Sequence, residues 1–266
     1  MTHLPKIFLI SGLIVLLGAS CIRTNTTPTP PQGFDQQIEW QQLQPGLERR
    51  IYRSNEAEAP YEFIAYRLNT KLFQLNLQHS QAPKRLQDWH KDSQAILSIN
   101  GAYFTEDMTP TGLFIDNGKT INAEAYDTDR SGTVVIENWI PRFVNRLPLP
   151  QPGLDAFQSF PLLVKDGRPN IDTDSEKVAR RTAIGFDEQG RLIIIIVDKT
   201  PLSLYRFAKI LAASDVHMKH ALNLDGGPSS GLIYEGLSFN ESLLPLLELP
   251  IVLTLSALSP DEPNGQ

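Results

Sequence analysis

Three polar segments interrupt the apolar runs of this sequence at points where strands are expected to end. They are Asn100-Gly101-Ala102-Tyr103-Phe104, Arg180-Arg181-Thr182-Ala183-Ile184-Gly185 and Asn223-Leu224-Asp225-Gly226-Gly227-Pro228-Ser229-Ser230. Glycines that follow a strand allow backbone amides to approach a ligand closely, and loops at the rim of a sheet carry much of protein function. These segments are therefore the candidate functional residues.

The side chains in these segments are suited to hold an anion. Arg181, or its neighbour Arg180, could grip a phosphate or carboxylate with its planar guanidinium, and the amides of Gly226 and Gly227 could form an anion-binding nest. Asp225 places a carboxylate beside those amides. The combination predicts a binding or catalytic site for a charged substrate.

Each residue also has a purely structural interpretation. Asp225-Gly226-Gly227 could be a hairpin turn, Arg181 a surface ion-pair residue, and Asn100 a turn residue. Asp198 follows an isoleucine-rich run, and it is either catalytic or a cap of the helix expected at Thr200-Pro201. The residues by themselves leave these alternatives open.

The elements that must position these side chains are mainly strands. Short runs rich in β-branched and aromatic residues predict strands at 47–52, 61–68, 72–77, 96–99, 113–115, 133–136, 162–164, 182–186, 192–197, 221–224, 232–234 and 251–255. Turn residues at 116–119, 165–168 and 187–190 predict hairpins and hence antiparallel pairing. The unbroken isoleucine run 193–196 does not alternate, which predicts a strand covered on both faces.

Two helices are expected to pack on this sheet. One begins at Thr200-Pro201, a cap residue followed by proline, and a second runs over 84–93. Their predicted buried residues are Leu204, Phe207, Ala208 and Leu211 in the first and Leu86 and Trp89 in the second. We therefore expect an α+β fold: one domain with a mostly antiparallel or mixed β-sheet core and a few packed helices.

The composition of the 266 residues is that of an ordinary globular protein, with 41% hydrophobic and 20% charged residues. The formal net charge of -6, without a basic cluster in the sequence, argues against nucleic acid as a partner.

We expect no cofactor and no transition-metal site. His217 and His220 are three residues apart, but no glutamate stands where a helical zinc site would need it, and the exposed end of a helix explains the pair. Asp225 with Asn223 could bind Ca²⁺, which prefers oxygen ligands, although their spacing does not supply a complete loop.

Residues 1–21 have the pattern of a secretory signal peptide, with Lys6, an apolar centre and small residues before Cys21. Cys21 is the single cysteine, and its position resembles the processing site of a bacterial lipoprotein, where the cysteine receives lipid. Gly18 stands where such sites usually have leucine. The alternative is ordinary cleavage after Ser20.

The rest of the chain divides into three parts. Residues 22–34 are rich in Thr, Pro, Asn and Gln and predict a flexible linker. Residues 35–258 form the expected domain, and 259–266 form a disordered tail. The predicted location is the cell envelope, as a membrane-anchored lipoprotein, or otherwise as a secreted or periplasmic protein.

Three ordered motifs resemble the phosphodiester glycosidase family, the bacterial and animal relatives of the lysosomal uncovering enzyme. They are Ile99 to Phe104, Arg181 to Gly185 and Leu222 to Ser230. Residues 159–167 also look like the central hairpin of the family. The chain departs from the family pattern at Pro228, which removes one amide donor from the nest, and at Ala102, where a glycine is common.

The resemblance implies hydrolysis of the bond between a sugar's anomeric carbon and a phosphodiester oxygen, in an envelope glycan or glycolipid. The candidate catalytic residues are Asp225, Arg181 and Asp198. The candidate substrate contacts are Asn100, Gly101, Thr182, Asn223, Gly226, Gly227 and Ser229. The alternative function is a non-catalytic carbohydrate- or phosphate-binding envelope protein linked to exopolysaccharide production.

Overall fold

The structure is a computed structural model that describes residues 39–54, 60–126, 131–144 and 146–258. The predicted signal peptide with Cys21, the linker and the tail lie outside the described residues. In the described ranges, neither α-helix has the length and apolar character needed to cross a membrane.

The described residues form 18 strands, arranged in three sheets in which every pairing is antiparallel. Sheet I has the order β1 (Gln41–Gln44), β2 (Leu47–Arg53), β3 (Glu62–Leu68), β14 (Leu192–Leu202), β13 (Ala179–Asp187), β15 (Met218–Asn223), β11 (Leu162–Lys165) and β12 (Arg168–Pro169). Sheet II has the order β7 (Lys119–Asn122), β6 (Phe114–Asp116), β10 (Leu154–Ser159), β8 (Gly132–Glu137) and β9 (Ile140–Val144). Sheet III has the order β17 (Asn240–Leu243), β16 (Leu232–Glu235), β5 (Leu97–Asn100), β18 (Leu249–Ala257) and β4 (Phe73–Lys84).

Two α-helices accompany the sheets, α1 (Leu86–Asp92) and α2 (Leu204–Ala213), with 3-10 turns at Thr70–Leu72 and Gly227–Ser229. The predicted β-rich core is confirmed, but α+β overstates the helical part of a fold that is mostly antiparallel sheet. All twelve predicted strands are present, although most are longer than expected.

The isoleucine run lies in the middle of a sheet, as predicted. Strand β14 lies between β3 and β13, and Ile193 to Ile196 are all fully buried. Ile194 and Ile196 join a core that includes side chains of sheets II and III, whereas Ile193 and Ile195 join a second core beneath α2. Because both faces of the strand are covered, no polar alternation is required.

The start of α2 differs from the prediction. Strand β14 continues through Leu202, and Ser203 caps the helix by accepting a hydrogen bond from Arg206 N at 3.2 Å. Thr200 instead binds the next strand: its hydroxyl accepts from Glu62 N at 2.8 Å and donates to Glu62 O at 3.2 Å. Pairing across the sheet therefore outweighs the local cap signal at Thr200-Pro201.

The predicted buried faces of the helices are confirmed except at Leu204, which is only partly buried. Phe207, Ala208 and Leu211 of α2 lie in the core on one side of sheet I. Leu86 and Trp89 of α1 pack under sheet III against Ile233, Leu249 and Val252. The interpretation of His217 and His220 as a helix end is wrong, because α2 stops at Ala213 and His220 lies in β15.

The predicted turns are hairpins. Asn117 and Gly118 between β6 and β7 have φ of 47° and 78°, and Asp166 and Gly167 between β11 and β12 have φ of 48° and 75°. Positive φ at two central residues matches the twist of the flanking strands and favours Asn-Gly and Asp-Gly. Residues 187–190 likewise join β13 to β14.

Candidate functional site

The three polar segments meet where an end of sheet I lies beside an end of sheet III. Leu224 N donates to Thr182 O of β13 at 2.9 Å, and Asp225 N donates to Gly101 O after β5 at 3.1 Å. The segment 224–231 thus leaves β15 in sheet I and enters β16 in sheet III. Asp225-Gly226-Gly227 is therefore a crossing between sheets, and the hairpin interpretation is wrong.

Asn100 is a fully buried connector at this crossing. Its Nδ2 donates to Asp225 O at 2.7 Å and to Gly101 O at 3.3 Å. Its Oδ1 accepts from Thr182 Oγ1 at 2.7 Å and from Gly231 N at 3.1 Å. Asn100 is thus no exposed turn residue, and its side chain holds the catalytic candidate Asp225 through the backbone.

Gly101 serves close packing. A Cβ atom at this position would lie 2.3 Å from Ile251 Cγ2 and 3.0 Å from the backbone of Ile251. Real Cβ atoms do not come so close, so the chain after β5 can approach Ile251 of β18 only with glycine at this position.

Asn223, the last residue of β15, is also fully buried. Its Nδ2 donates to the Tyr103 hydroxyl at 2.6 Å, to Leu224 O at 2.7 Å and to Phe160 O at 3.2 Å. Within the described residues its Oδ1 has no hydrogen-bond partner. A buried acceptor without a donor is costly, and such an atom indicates a place for a ligand donor or water.

Tyr103 connects the two charged candidates. Burial and the nearby Asp225 carboxylate raise the pKa of its hydroxyl to about 12, and the Arg181 guanidinium opposes this shift. The hydroxyl is therefore neutral at physiological pH, and it lies within electrostatic reach of both Asp225 and Arg181.

Arg181 is the buried cation of the site, with 8% of its surface exposed. Its Nε donates to Leu202 O at 2.9 Å and its Nη2 to Lys177 O at 2.8 Å, so two carbonyls fix the guanidinium plane. Burial lowers its pKa, and among the described residues no carboxylate compensates. The interpretation as a surface ion-pair residue is therefore wrong.

The remaining nitrogen of Arg181 faces the glycine pair. Nη1 lies 3.6 Å from the position that a Cβ atom on Gly226 would occupy, and Arg180 O lies 3.1 Å from that position. A side chain on Gly226 would fill this space. The guanidinium, which has no carboxylate partner among the described residues, thus lies next to Gly226.

Arg180 and Asp198 form a separate pair. Arg180 Nε lies 2.8 Å from Asp198 Oδ1, and Arg180 Nη1 donates to Leu244 O at 3.1 Å. Asp198 does not cap α2, because Ser203 does so. Of the two arginines, Arg181 is therefore the one without a carboxylate partner among the described residues.

Asp225 supplies the carboxylate of the candidate site. Its Oδ1 accepts from Gly226 N at 2.8 Å, and the Ser229 hydroxyl also binds it. Burial nevertheless raises its pKa above the usual value, since these two hydrogen bonds offset only part of the desolvation. The raised pKa makes this carboxylate a stronger base than an exposed aspartate.

The expected nest is smaller than the sequence indicates. The Gly226 amide is already bound to Asp225, and Pro228 has no amide hydrogen. Gly227 has φ of 59° and open space where a Cβ atom would lie. Of the two glycine amides, that of Gly227 is the better candidate donor to a ligand.

The site also has aromatic residues that the polar motifs did not indicate as a group. Tyr103, Tyr126 and Phe160 lie at the site, with Tyr126 and Phe160 ring centroids 6.0 Å apart. Tyr126 is fixed by Gln158, which accepts from its backbone N at 2.7 Å. The sequence signal for these aromatic residues was their proximity to the polar segments. Their positions in the site, however, depend on strand pairing between distant parts of the chain.

Within the described ranges, no cluster of three or more His, Cys, Asp or Glu side chains is placed to hold a metal ion. The positive charge that the chain itself supplies at the site is Arg181. Chemically, the arrangement can bind an anion at Arg181 and place it beside one carboxyl group of raised pKa.

Solved structures share this fold. A hypothetical protein from Synechocystis has a TM-score of 0.62 at 14% identity, over 83% of this chain and 64% of that one, so the present chain spans less than two thirds of its length. The zebrafish N-acetylglucosamine-1-phosphodiester alpha-N-acetylglucosaminidase catalytic domain, auto-inhibited by its pro-peptide, has a TM-score of 0.60 at 18% identity, over 84% and 87%. A protein described as exported, from Burkholderia pseudomallei, has a TM-score of 0.52 at 12% identity, over 74% of each chain.

No curated protein sequence matches the chain. The phosphodiester glycosidase family profile, however, matches residues 93–245, which include all three polar segments and more than half of the sequence. The chain therefore belongs to the phosphodiester glycosidase family.

Proposed function

We propose that this protein is a hydrolase that cleaves the glycosidic bond of a sugar-1-phosphodiester in an envelope glycan or glycolipid. One observation carries the proposal: Arg181 is buried, has no carboxylate partner among the described residues, and lies next to Gly226. A buried charge without compensation is expensive in the free protein, and an anionic ligand would supply the missing charge. Family membership supports the same chemistry.

The reaction consumes one water molecule. Its oxygen bonds to the anomeric carbon, the bond from that carbon to the phosphodiester oxygen breaks, and the products are the free sugar and a phosphate monoester. Because the monoester is a good leaving group, it needs little protonation by a general acid. Ordinary glycosidases use two carboxyl groups, but here one carboxyl group and a cation suffice.

Arg181 and the Gly227 amide hold the phosphate in this scheme and stabilise the charge that develops on the leaving oxygen. Asp225 takes the proton from water or stabilises the positive charge at the anomeric carbon. Its raised pKa fits the first role, and its Ser229 hydrogen bond orients it. Asn223 Oδ1 accepts a hydrogen bond from a sugar hydroxyl, which supplies the partner that this atom lacks among the described residues.

The remaining candidate residues hold other parts of the site in place. Asn100, Thr182 and Gly101 hold the crossing between the sheets through the contacts already described. Asp198 fixes Arg180 beside the site. We therefore assign direct contact with substrate to Arg181, Asp225, Asn223 and Gly227.

A panel of sugar-1-phosphodiesters tests the proposal, with release of free sugar as the readout. Wild type is expected to release sugar from at least one of them, and Asp225→Asn to lower the rate by about 10²–10⁴. Asp166→Asn is the matched control, because Asp166 is an exposed turn residue far from the site. Full turnover in a folded Asp225→Asn protein would exclude the assigned role.

The alternative, a non-catalytic binding protein linked to exopolysaccharide production, has one observation in its favour. Asp198 is engaged with Arg180, so Asp225 is the sole unpaired carboxyl group among the described site residues. Wild type that binds these phosphodiesters without releasing sugar would support this alternative.

We also propose that the protein is exported and attached to the cell envelope through lipid on Cys21, with residues 22–34 as the tether. The support is the sequence pattern before Cys21. Cys21→Ser is expected to move the protein from the membrane fraction to the soluble fraction and to abolish incorporation of labelled fatty acid. Unchanged membrane attachment would contradict the proposal.

A further inference from the structure

Three exposed leucines stand beside the candidate site. Leu244, Leu246 and Leu247, here called the leucine rim, are 42%, 80% and 38% exposed. They follow β17 directly, in the segment that leads to β18. Single exposed apolar side chains are common on protein surfaces, but three in four residues form a patch.

Hydrogen bonds tie the leucine rim to the site. Leu246 N donates to Pro228 O at 2.7 Å, within the turn that carries the glycine pair. Leu244 O accepts from Arg180 Nη1 at 3.1 Å. The pairing of Leu232 with Leu243 also places the end of β17 next to the start of β16, where the crossing enters sheet III. The rim is thus held in place by its backbone, and its side chains are not needed for that attachment.

Exposed apolar side chains also occur on other segments that are bound to site residues. Five of the ten large hydrophobic side chains exposed in the described ranges belong to segments bound to site residues: Phe160, Val178, Leu244, Leu246 and Leu247. The carbonyl of Phe160 accepts from Asn223, and Val178 follows Lys177, whose carbonyl accepts from Arg181. Exposed apolar side chains are therefore carried by chain segments that contact residues of the candidate site.

We infer that the substrate is amphipathic: a sugar-1-phosphate esterified to a long apolar alcohol, whose hydrocarbon chain lies on the leucine rim while Arg181 holds the phosphate. This inference rests on the proposed function and narrows its glycan or glycolipid substrate to the glycolipid. The charge of Arg181 matches the phosphate, and the leucines match the chain that leaves it. A polar glycan or a nucleotide on the same phosphate would cover the leucines without burying apolar surface of its own.

Binding of alkyl phosphates tests the inference without requiring turnover. Octyl phosphate, used below its micelle concentration, is expected to bind wild type at least about tenfold more tightly than methyl phosphate, because it buries additional methylene groups. The double variant Leu244→Ser/Leu246→Ser should lose this ratio and keep its affinity for methyl phosphate. Leu237→Ser is the matched control, since Leu237 is fully exposed in the opposite turn of the β16–β17 hairpin.

Equal affinity of wild type for the two alkyl phosphates would overturn the inference. A ratio that survives in the double variant would overturn it as well. Binding of wild type to phosphatidylcholine vesicles without any sugar phosphate, together with an unchanged ratio in the variant, would make the rim a membrane contact instead. Thermal unfolding of each variant checks that it remains folded.

Turnover of methyl and octyl sugar-1-phosphodiesters separates the two hypotheses. Equal rates with both substrates would support the proposed hydrolase function and contradict the preference for an apolar alcohol. Preferential binding of octyl phosphate, with no sugar release from any phosphodiester, would contradict the proposed hydrolase function. The same result would still support an amphipathic ligand.

Discussion

The Thr182 hydroxyl donates to Asn100 Oδ1 at 2.7 Å, and this hydrogen bond joins β13 of sheet I to β5 of sheet III. Both residues are fully buried. Asn100 also holds the backbone of Asp225 and Gly231, so both ends of the crossing are attached to one side chain. The site therefore depends on a buried polar connection between sheets as well as on the groups that contact a ligand.

Asn100→Ala is expected to destabilise the fold. It leaves buried donors and acceptors without partners, each costing about 1–3 kcal/mol, so we expect a loss of at least about 2 kcal/mol in urea unfolding. Thr182→Val should cost less, and Thr182→Ser should retain most of the stability because it keeps the hydroxyl. An Asn100→Ala protein as stable as wild type but unable to bind substrate would show that Asn100 is a direct ligand contact.

Arg181→Lys should lose binding rather than stability. Lysine keeps the charge but lacks the planar fork that Leu202 O and Lys177 O orient. We expect kcat/KM for a sugar-1-phosphodiester to fall at least about 100-fold, equivalent to about 2.7 kcal/mol. Inorganic phosphate should raise the unfolding temperature of wild type and leave that of the variant unchanged. Arg142→Lys, on the exposed edge of sheet II, is the control. An equal fall in kcat/KM in that variant would contradict a specific role of Arg181.

Asp225 should give the protein a characteristic pH dependence. If it takes a proton from water, kcat/KM rises with pH through its raised pKa, and Asp225→Asn removes that limb of the profile. A profile that is flat over this range in wild type would contradict the assignment.

The same shift has a stability consequence. Because the folded pKa of Asp225 is raised, the folded protein binds more protons than the unfolded chain between the usual aspartate value and the folded one. Its stabilising contribution is present below the unfolded pKa and is lost as pH rises through the folded pKa. The stability of Asp225→Asn relative to wild type should therefore increase from acid to neutral pH, as measured by urea unfolding at several pH values.

Two glycines should respond differently to alanine. At Gly101, the new Cβ would meet Ile251 at 2.3 Å, so we expect Gly101→Ala to cost at least about 2 kcal/mol of folding stability. At Gly227, nothing lies within 4 Å, and the cost is the backbone strain of φ 59°, about 1 kcal/mol. Thermal unfolding of both variants checks this order, and the reverse order would contradict the close packing of Gly101 against β18.

The residues themselves identified the strands and their pairing direction well. Local signals suffice where apolar β-branched runs alternate with turn residues such as Asn117-Gly118, since those turns admit few backbone conformations. They failed at β10, which carries Asp155, Gln158 and Ser159 in a central strand. Partners from distant segments satisfy these polar groups: Asn117 N donates to Asp155, and Ser159 donates to Asn223 O.

The family, the three polar segments and their order along the chain followed from the sequence, because each motif is contiguous. The sequence could not decide which arginine carries a free charge. Arg180 and Arg181 are adjacent, and only the packing of sheet I places Arg180 on Asp198 and buries Arg181 against two carbonyls.

The roles of the polar segments were likewise decided by tertiary structure. Gly101, Thr182 and Asn100, which are predicted to contact substrate, join sheets I and III in the structure. Burial raises the pKa of Asp225, and no local sequence pattern encodes this shift. The sequence thus determined which chemical groups are present and in which order. Hydrogen bonds and desolvation between residues far apart in the chain decided which of those groups are available to a ligand.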